Sequence, residues 1–319
     1  MNSPFISIVS GCYNEEDNVD LLYERVTKAL AQVPKYDYEY IFIDNASTDK
    51  TVERLKAIAA RDKRVKIIVN MRNFGHLRSP YYALLQTKGA AVIGLASDLQ
   101  DPPEMIPRFI EEWEAGAQLV LGVKTESDES LPLYLARTVY YKLHNLLAKD
   151  VKIVQHSTGF GIYDRRIVQE LRKLNEHYPF LRGLVSELGF RAVEIPYKQA
   201  VRKHGLTTNN FYSLYDLAIL GLTSYSIVPM RLATFLGLAM SFLSLVVAIF
   251  YFFYKLLYWH TFPSGVAPIL VGMFGLFSLQ MVFIGLLGEY VVATRRDLVT
   301  RPLVVERERI NFDDEPSTG

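Results

Sequence analysis

Along the first 200 residues, apolar and polar positions follow two rhythms. FISIVSGC, YEYIFID, VKIIVN, AAVIGLAS and AQLVLGV are apolar almost without a break. Strands covered on both faces lose the in-out alternation, so these runs predict buried strands of a mostly parallel sheet. Between them, EEDNVDLLYERVTKALAQV, STDKTVERLKAIAARD, LRSPYYALLQTKG and PPEMIPRFIEEWEAG carry apolar residues at helical spacing. In the second of these, Val52, Leu55, Ile58 and Ala59 share one face, with Ser47 or Thr48 as the expected N-cap. Strands alternating with helices predict an α/β domain over residues 1–209. Ligands of such sheets bind beyond the carboxyl ends of the strands. The residues at those ends are Tyr13-Asn14-Glu15, Asp44-Asn45, Asn73-Phe74-Gly75 and Asp98-Leu99-Gln100-Asp101.

The pattern changes after residue 209. Residues 210–230 (NFYSLYDLAILGLTSYSIVPM) are rich in Tyr, Phe and Leu, which suits a helix lying in a membrane interface. Leu232 to Tyr254 contains no charged residue, and none appears between Lys255 and Glu289. At 1.5 Å per residue the first run reaches roughly 35 Å, enough for a hydrocarbon core of about 30 Å. TFPSGVAP reads as a turn. Residues 231–294 are therefore expected to form a transmembrane hairpin with spans at about 232–254 and 269–291. Arg231 before it and Arg295, Arg296 and Arg301 after it place both ends in the cytoplasm by the positive-inside rule. The N-terminus shows no signal-peptide pattern, so residues 1–209 are expected in the cytosol. Gly272, Gly275, Gly285 and Gly288 permit close helix approach, with Gln280 near mid-span. The tail, 295–319, has a short strand-like part and a polar end, DDEPSTG.

Composition narrows the classes. With 35 Lys plus Arg against 34 Asp plus Glu, the net charge of +1 argues against a nucleic-acid binder driven by bulk charge. One cysteine excludes an intramolecular disulfide and a cysteine zinc site, and fits a reducing compartment. No Gly-x-Gly-x-x-Gly and no Walker loop follows any strand, which counts against dinucleotide dehydrogenases and P-loop enzymes. The strand-end loops are polar and acidic instead. Asp98, Gln100 and Asp101 are oxygen donors of the kind that suit Mg²⁺ or Mn²⁺. Acids ahead of Pro102-Pro103 read equally well as caps of the next helix.

The ordered set SIVSGCYNEEDNV, IDNASTDKT, RNFG and SDLQDPPEMIP resembles the inverting family 2 glycosyltransferases of the GT-A fold. Within them it is most similar to the polyprenyl-phosphate glycosyltransferases with two C-terminal transmembrane helices. The resemblance runs from about Ile6 to about Pro302, and DLQDPP is its most specific string. It implies that Tyr13, Asn14 and Glu15 hold the nucleotide and that Asp44 reads the nucleobase. Asp98 and Gln100 match metal ligands carrying the diphosphate, with Mg²⁺ or Mn²⁺ as cofactor. Arg202 matches a basic loop near the acceptor phosphate, with Lys203 and His204 assisting and Arg137 as a further acceptor-side residue. Asp98, Asp101 and Arg202 are the expected catalytic residues. The partners implied are a nucleotide-sugar donor, a UDP-sugar first among them, a polyprenyl-phosphate acceptor, the bilayer of a bacterial-type inner membrane, and further copies of the chain in a tetramer.

The chain also departs from the family pattern. Ala96 stands where the usual Asp-x-Asp begins, and Asn45 replaces the second acid of an Asp-Asp pair. HSTGFGIY carries no acid where relatives often place one, Thr208 stands where a Lys is common, and Glu187 is a nearby carboxylate. A phosphate acceptor tolerates a missing base, because its second pKa near 6 leaves it largely a dianion at neutral pH. A hydroxyl acceptor would need one. A third reading, prompted by Ala96, is an inactive nucleotide-sugar-binding membrane subunit.

Overall fold

The computed structural model describes residues 5–126, 154, 157–174, 176, 179–199, 228–257, 266–298 and 301–312. These fall into two compact units. The first holds eight strands: β1 Phe5–Cys12, β2 Asp37–Asp44, β3 Val65–Asn70, β4 Ala91–Gly94, β5 Leu119–Glu126, β6 Ser157–Asp164, β7 Ala192–Lys198 and β8 Glu306–Ile310. Its helices are α1 Val19–Leu30, α2 Thr51–Arg61, α3 Arg78–Gln86, α4 Ile106–Glu114 (preceded by a 3₁₀ turn, Pro103–Met105), α5 Arg165–Lys173 and α6 Leu181–Glu187. The second unit contains α7 Val228–Leu257 and α8 Val266–Leu298.

The sheet order is β7-β5-β6-β4-β1-β2-β3-β8. The sheet is mostly parallel, as expected, and two antiparallel strands make it mixed. β1 pairs in parallel with β2 and β4, β2 with β3, and β5 with β7. β6 runs antiparallel between β4 and β5, and β8 runs antiparallel along β3. β6 is absent from the apolar runs, and β8 is legible only as the strand-like part of the tail, both for physical reasons. β6 is STGFGIYD, with two glycines and one flanking run of apolar residues, and β8 is ERERI, an edge strand with one polar face.

Side chains from successive strand positions pack on opposite faces, as the period of two requires. Ile6, Ile8, Tyr40, Phe42, Ile67 and Val69 meet α1, α2 and α4 on one face. Val9, Ile41, Ile43 and Ile68 meet α3, α5 and α6 on the other. At the amino end of the sheet, buried Glu39 accepts from Ser7 Oγ at 2.6 Å, Lys66 Nζ at 2.7 Å and the Lys88 backbone N–H at 2.7 Å. That network pins the α3–β4 connection to β1 and β2.

The chain order places a topological switch at β1. It proceeds outward from β1 to β2 and β3, then returns through α3 to β4 on the other side of β1. Loops after β1 and β4 therefore diverge and leave a crevice at their carboxyl ends, where open α/β sheets bind ligands.

In the second unit, α7 and α8 expose large apolar residues along their length, including Phe235, Phe242, Phe250, Met281, Val282 and Val291. Among the described residues one helix segment, Gly275–Val292 of α8, is long and apolar enough to cross a membrane. A Cβ added at Gly272, Gly275, Gly285 or Gly288 would meet nothing within 4 Å, so these glycines do not mediate close contact with α7.

Candidate active site

The crevice is built from three loops that carry unusual backbone. Asn14, Ala46 and Leu99 have φ of 55°, 64° and 60°, the left-handed region that costs a residue with a Cβ roughly 1–2 kcal/mol. One such residue follows each of β1, β2 and β4, and hydrogen bonds within the crevice hold them there.

Loops one and two are tied to each other. Asn14 N–H donates to Ser47 Oγ at 2.9 Å, and Thr48 N–H donates to Asn14 Oδ1 at 2.8 Å. Glu15 N–H donates to Thr51 Oγ1 at 2.8 Å, and buried Glu15 accepts from Asn18 Nδ2 at 2.6 Å. These bonds explain why the expected Ser47 or Thr48 cap does not form. α2 begins at Thr51, whose N–H donates to Asp49 Oδ1 at 3.0 Å, while Ser47 donates to the Asp44 carboxylate. Asp44 is fully buried and also accepts from Ser47 N–H at 3.0 Å. Burial pushes its carboxyl up, against the Ser47 hydrogen bonds, the Ala46 N–H and the Arg307 guanidinium, which pull it down. Tyr13 presents a partly exposed ring at the end of β1.

Asn45 clamps the loop after β3. Its Oδ1 accepts from Phe74 N–H at 2.8 Å, and its Nδ2 donates to Gly75 C=O at 3.2 Å and Asn73 Oδ1 at 2.8 Å. The two backbone partners fix which way round the amide lies. Buried Asn70 adds a bond from its Nδ2 to Asn45 Oδ1 at 3.2 Å. RNFG is thus held by an amide that has both a donor and an acceptor.

The loop after β4 splits its acids between two tasks. Asp98 is half-buried, and its Oδ1 accepts from Gln100 N–H at 3.1 Å. Asp101 is buried and accepts from Tyr197 Oη of β7 at 2.6 Å. Burial raises the Asp101 carboxyl, opposed by the Tyr197 hydrogen bond and by the charge of Lys124. Neither acid caps the helix that follows, since the 3₁₀ turn and α4 start without side-chain caps. Ser97 Oγ donates to Gly11 C=O at 2.8 Å and joins this loop to β1. Ala96 is exposed at the mouth, and Gln100 is half-buried. Among the described residues no three His, Cys, Asp or Glu side chains converge as a metal cage. An oxygen-ligated Mg²⁺ or Mn²⁺ that takes most of its shell from phosphates and water needs only one or two protein donors, so the residues present fit such an ion.

The crevice therefore gathers Tyr13, Asn14, Glu15 and Asp44 on the β1–β2 side and Asp98, Gln100 and Asp101 on the β4 side. Arg137, Arg202, Lys203 and His204 lie outside the described residues, as does Thr208. Glu187 is exposed at the end of α6. The roles of Asn45, Ser47, Tyr197 and Arg307 are not evident in the sequence, since they depend on loops and strands brought together by the fold. The Asn and Ser density of IDNASTDKT was the available signal for the loop hydrogen bonds.

A crevice at a switch point, lined by buried acids and strained loops and backed by a mixed sheet, defines an α/β transferase of the GT-A type. The chain belongs to glycosyl transferase family 2, whose model matches residues 7–172. It is 32% identical over 307 residues to a bactoprenol glucosyl transferase of Shigella phage SfX, covering 95% of this chain and 99% of that one. It is likewise 32% identical to a prophage bactoprenol glucosyl transferase homolog of Escherichia coli K12, covering 93% and 96%. Among solved structures, glucosyl-3-phosphoglycerate synthase from Mycobacterium tuberculosis with Mg²⁺ and UDP is similar at 18% identity and a TM-score of 0.47, covering 70% of this chain and 79% of that one.

Proposed function

We propose that this glycosyltransferase moves a sugar from a UDP-sugar to a polyprenyl phosphate at the cytoplasmic face of a membrane, with inversion at the anomeric carbon. The observation that carries the reading is the match to the phage bactoprenol glucosyl transferase over nearly the full length of both chains.

The chemistry fits the residues. A phosphate dianion is already a nucleophile, so β6 can begin with Ser157-Thr158-Gly159 and no carboxylate. Asp44 and Tyr13 take the base of the nucleotide, and the Asn14–Thr48 and Glu15–Thr51 bonds hold the loops around it. Asp98 and Gln100 hold a divalent ion, which supplies electrostatic stabilisation of the departing diphosphate. Asp101, fastened to Tyr197, keeps the Leu99 turn in the shape that presents Asp98. Arg202, with Lys203, His204 and Arg137 in support, receives the acceptor phosphate through guanidinium hydrogen bonds.

The membrane arrangement follows from a parity argument. β8 and β1 belong to one sheet, so the two ends of the 200–300 stretch lie on the same side of any membrane. The number of crossings between them is then even. If Gly275–Val292 crosses, a second segment must, and α7, at 30 residues, is long enough. Two crossings with both termini cytoplasmic match the arginines that flank the stretch. Association of several copies through the open glycine faces of α8 would complete the arrangement.

The test is donor turnover. Full-length protein with Mn²⁺ or Mg²⁺ and undecaprenyl phosphate is offered a panel of nucleotide sugars, and nucleoside diphosphate release is followed. Release that requires both the lipid phosphate and one donor supports the proposal. Equal release with and without the lipid phosphate would refute the assigned acceptor.

A further inference from the structure

The C-terminal strand brings a cation to the donor side of the crevice. In the β2–β3 ladder Asp44 sits opposite Val69, and in the β3–β8 ladder Val69 sits opposite Glu308. The next β3 residue, Asn70, pairs with Glu306, so Arg307 is the extra residue of a β-bulge. Bulges re-aim a side chain and often lie beside active sites. Two strand spacings, about 9–10 Å, separate the Asp44 and Arg307 backbones, a distance an arginine side chain spans. Arg307 is exposed, and among the described residues its guanidinium makes no hydrogen bond or ion pair. Its charge pulls the Asp44 carboxyl down, in keeping with that spacing.

The neighbours of Arg307 are all committed. Glu306 accepts from Tyr82 Oη at 2.8 Å and pairs with Arg309, and Glu308 pairs with Lys56 at 2.7 Å. Asn311 Nδ2 donates to Ala59 C=O and Val65 C=O at 2.8 Å each, and Arg78 donates to Pro302 C=O. Residues on both sides of the bulge are therefore fixed to β3, α2 and α3, while Arg307 itself is exposed and uncommitted among the described residues.

We infer that Arg307 is a donor-binding residue: its guanidinium donates to a carbonyl oxygen on the base of the nucleoside diphosphate while Asp44 accepts from the adjacent ring N–H. A pyrimidine such as uracil offers that alternation of acceptor and donor on one edge. The donor site is then complete only when β8 has docked, which requires the intervening 200–300 segment to have returned the chain to the starting side. Nucleotide binding thereby reports correct insertion. This inference rests on the reading of the crevice as a nucleotide-sugar site.

The experiment measures binding of UDP and of pyrophosphate to the full-length protein, with Mg²⁺ present. Arg307→Ala is expected to weaken UDP roughly fivefold to tenfold, as loss of one charge-assisted hydrogen bond would. Pyrophosphate binding should stay unchanged, and Arg307→Lys should recover part of the UDP affinity. Lys56→Ala, which loosens the outer contact of the same strand, should leave both affinities in place. An Arg307→Ala protein that binds UDP as tightly as the wild type overturns the inference while leaving the nucleotide site intact. So does an equal loss of UDP and pyrophosphate, which marks a general folding effect. A wild-type protein that binds neither overturns the reading of the crevice and this inference with it.

Discussion

Asn45→Asp would install the acid that the family pattern favours, and the structure predicts that it does harm. The Asn45 amide donates to Gly75 C=O and Asn73 Oδ1 while accepting from Phe74 N–H. A carboxylate keeps the accepted bonds but turns both donated ones into oxygen-oxygen contacts, in a buried position beside buried Asp44. Asn73 can relieve its share by rotating its amide, at the expense of the bond from Gly75 N–H at 2.8 Å. The Gly75 carbonyl cannot. Two lost bonds at about 1 kcal/mol each, plus an unpaired buried acceptor and a buried charge, come to roughly 2–4 kcal/mol. For a unit of this size that is a fall in Tm of about 5–12 °C, measurable by thermal unfolding of the detergent-solubilised chain. The pH dependence supplies a second check. The new carboxyl has its folded-state pKa raised, so its penalty is full above that pKa. The penalty shrinks as pH falls and the protonated form donates to Gly75 again. A variant as stable as the wild type at pH 7, or one whose deficit grows on acidification, would refute the amide-clamp argument.

Three further outcomes follow from the packing. Gly161→Ala would put a Cβ 2.1 Å from Val120 C=O in the middle of the β5–β6 pairing, so the variant should fail to accumulate as folded protein in an expression and gel-filtration assay. Lys66→Met leaves Glu39 as a buried charge without its 2.7 Å partner and should cost roughly 3–5 kcal/mol in denaturant unfolding. Ala46→Gly relieves a left-handed residue with φ of 64° and should raise stability by about 0.5–1 kcal/mol, read as a higher Tm with donor turnover retained.

The strand-end loops were legible because the strands before them are apolar runs with one reading, and the crevice formed where those runs stop. DLQDPP was legible as a string of oxygen donors. The division of labour inside it was not, since Asp101 is committed to Tyr197, 96 residues away in sequence. The same holds for Asn45, whose replacement of an acid looked like a loss and proves to be a three-point clamp on the RNFG loop. β6 escaped the apolar runs because glycines break it, and β8 showed only as a strand-like stretch of the tail because it is an edge strand of alternating charge. The bulge at Arg307 has no local signal, because a bulge is a property of pairing with β3 and not of ERERI itself.

The central claim, transfer to a lipid phosphate, is tested most directly by mass spectrometry of the lipid. Full-length protein reconstituted with undecaprenyl phosphate, Mg²⁺ and the donor that supports turnover should convert the lipid to a species heavier by one sugar residue. Asp98→Ala should abolish that product. A lipid pool unchanged in mass, with the donor hydrolysed to free sugar or left intact, would contradict the account.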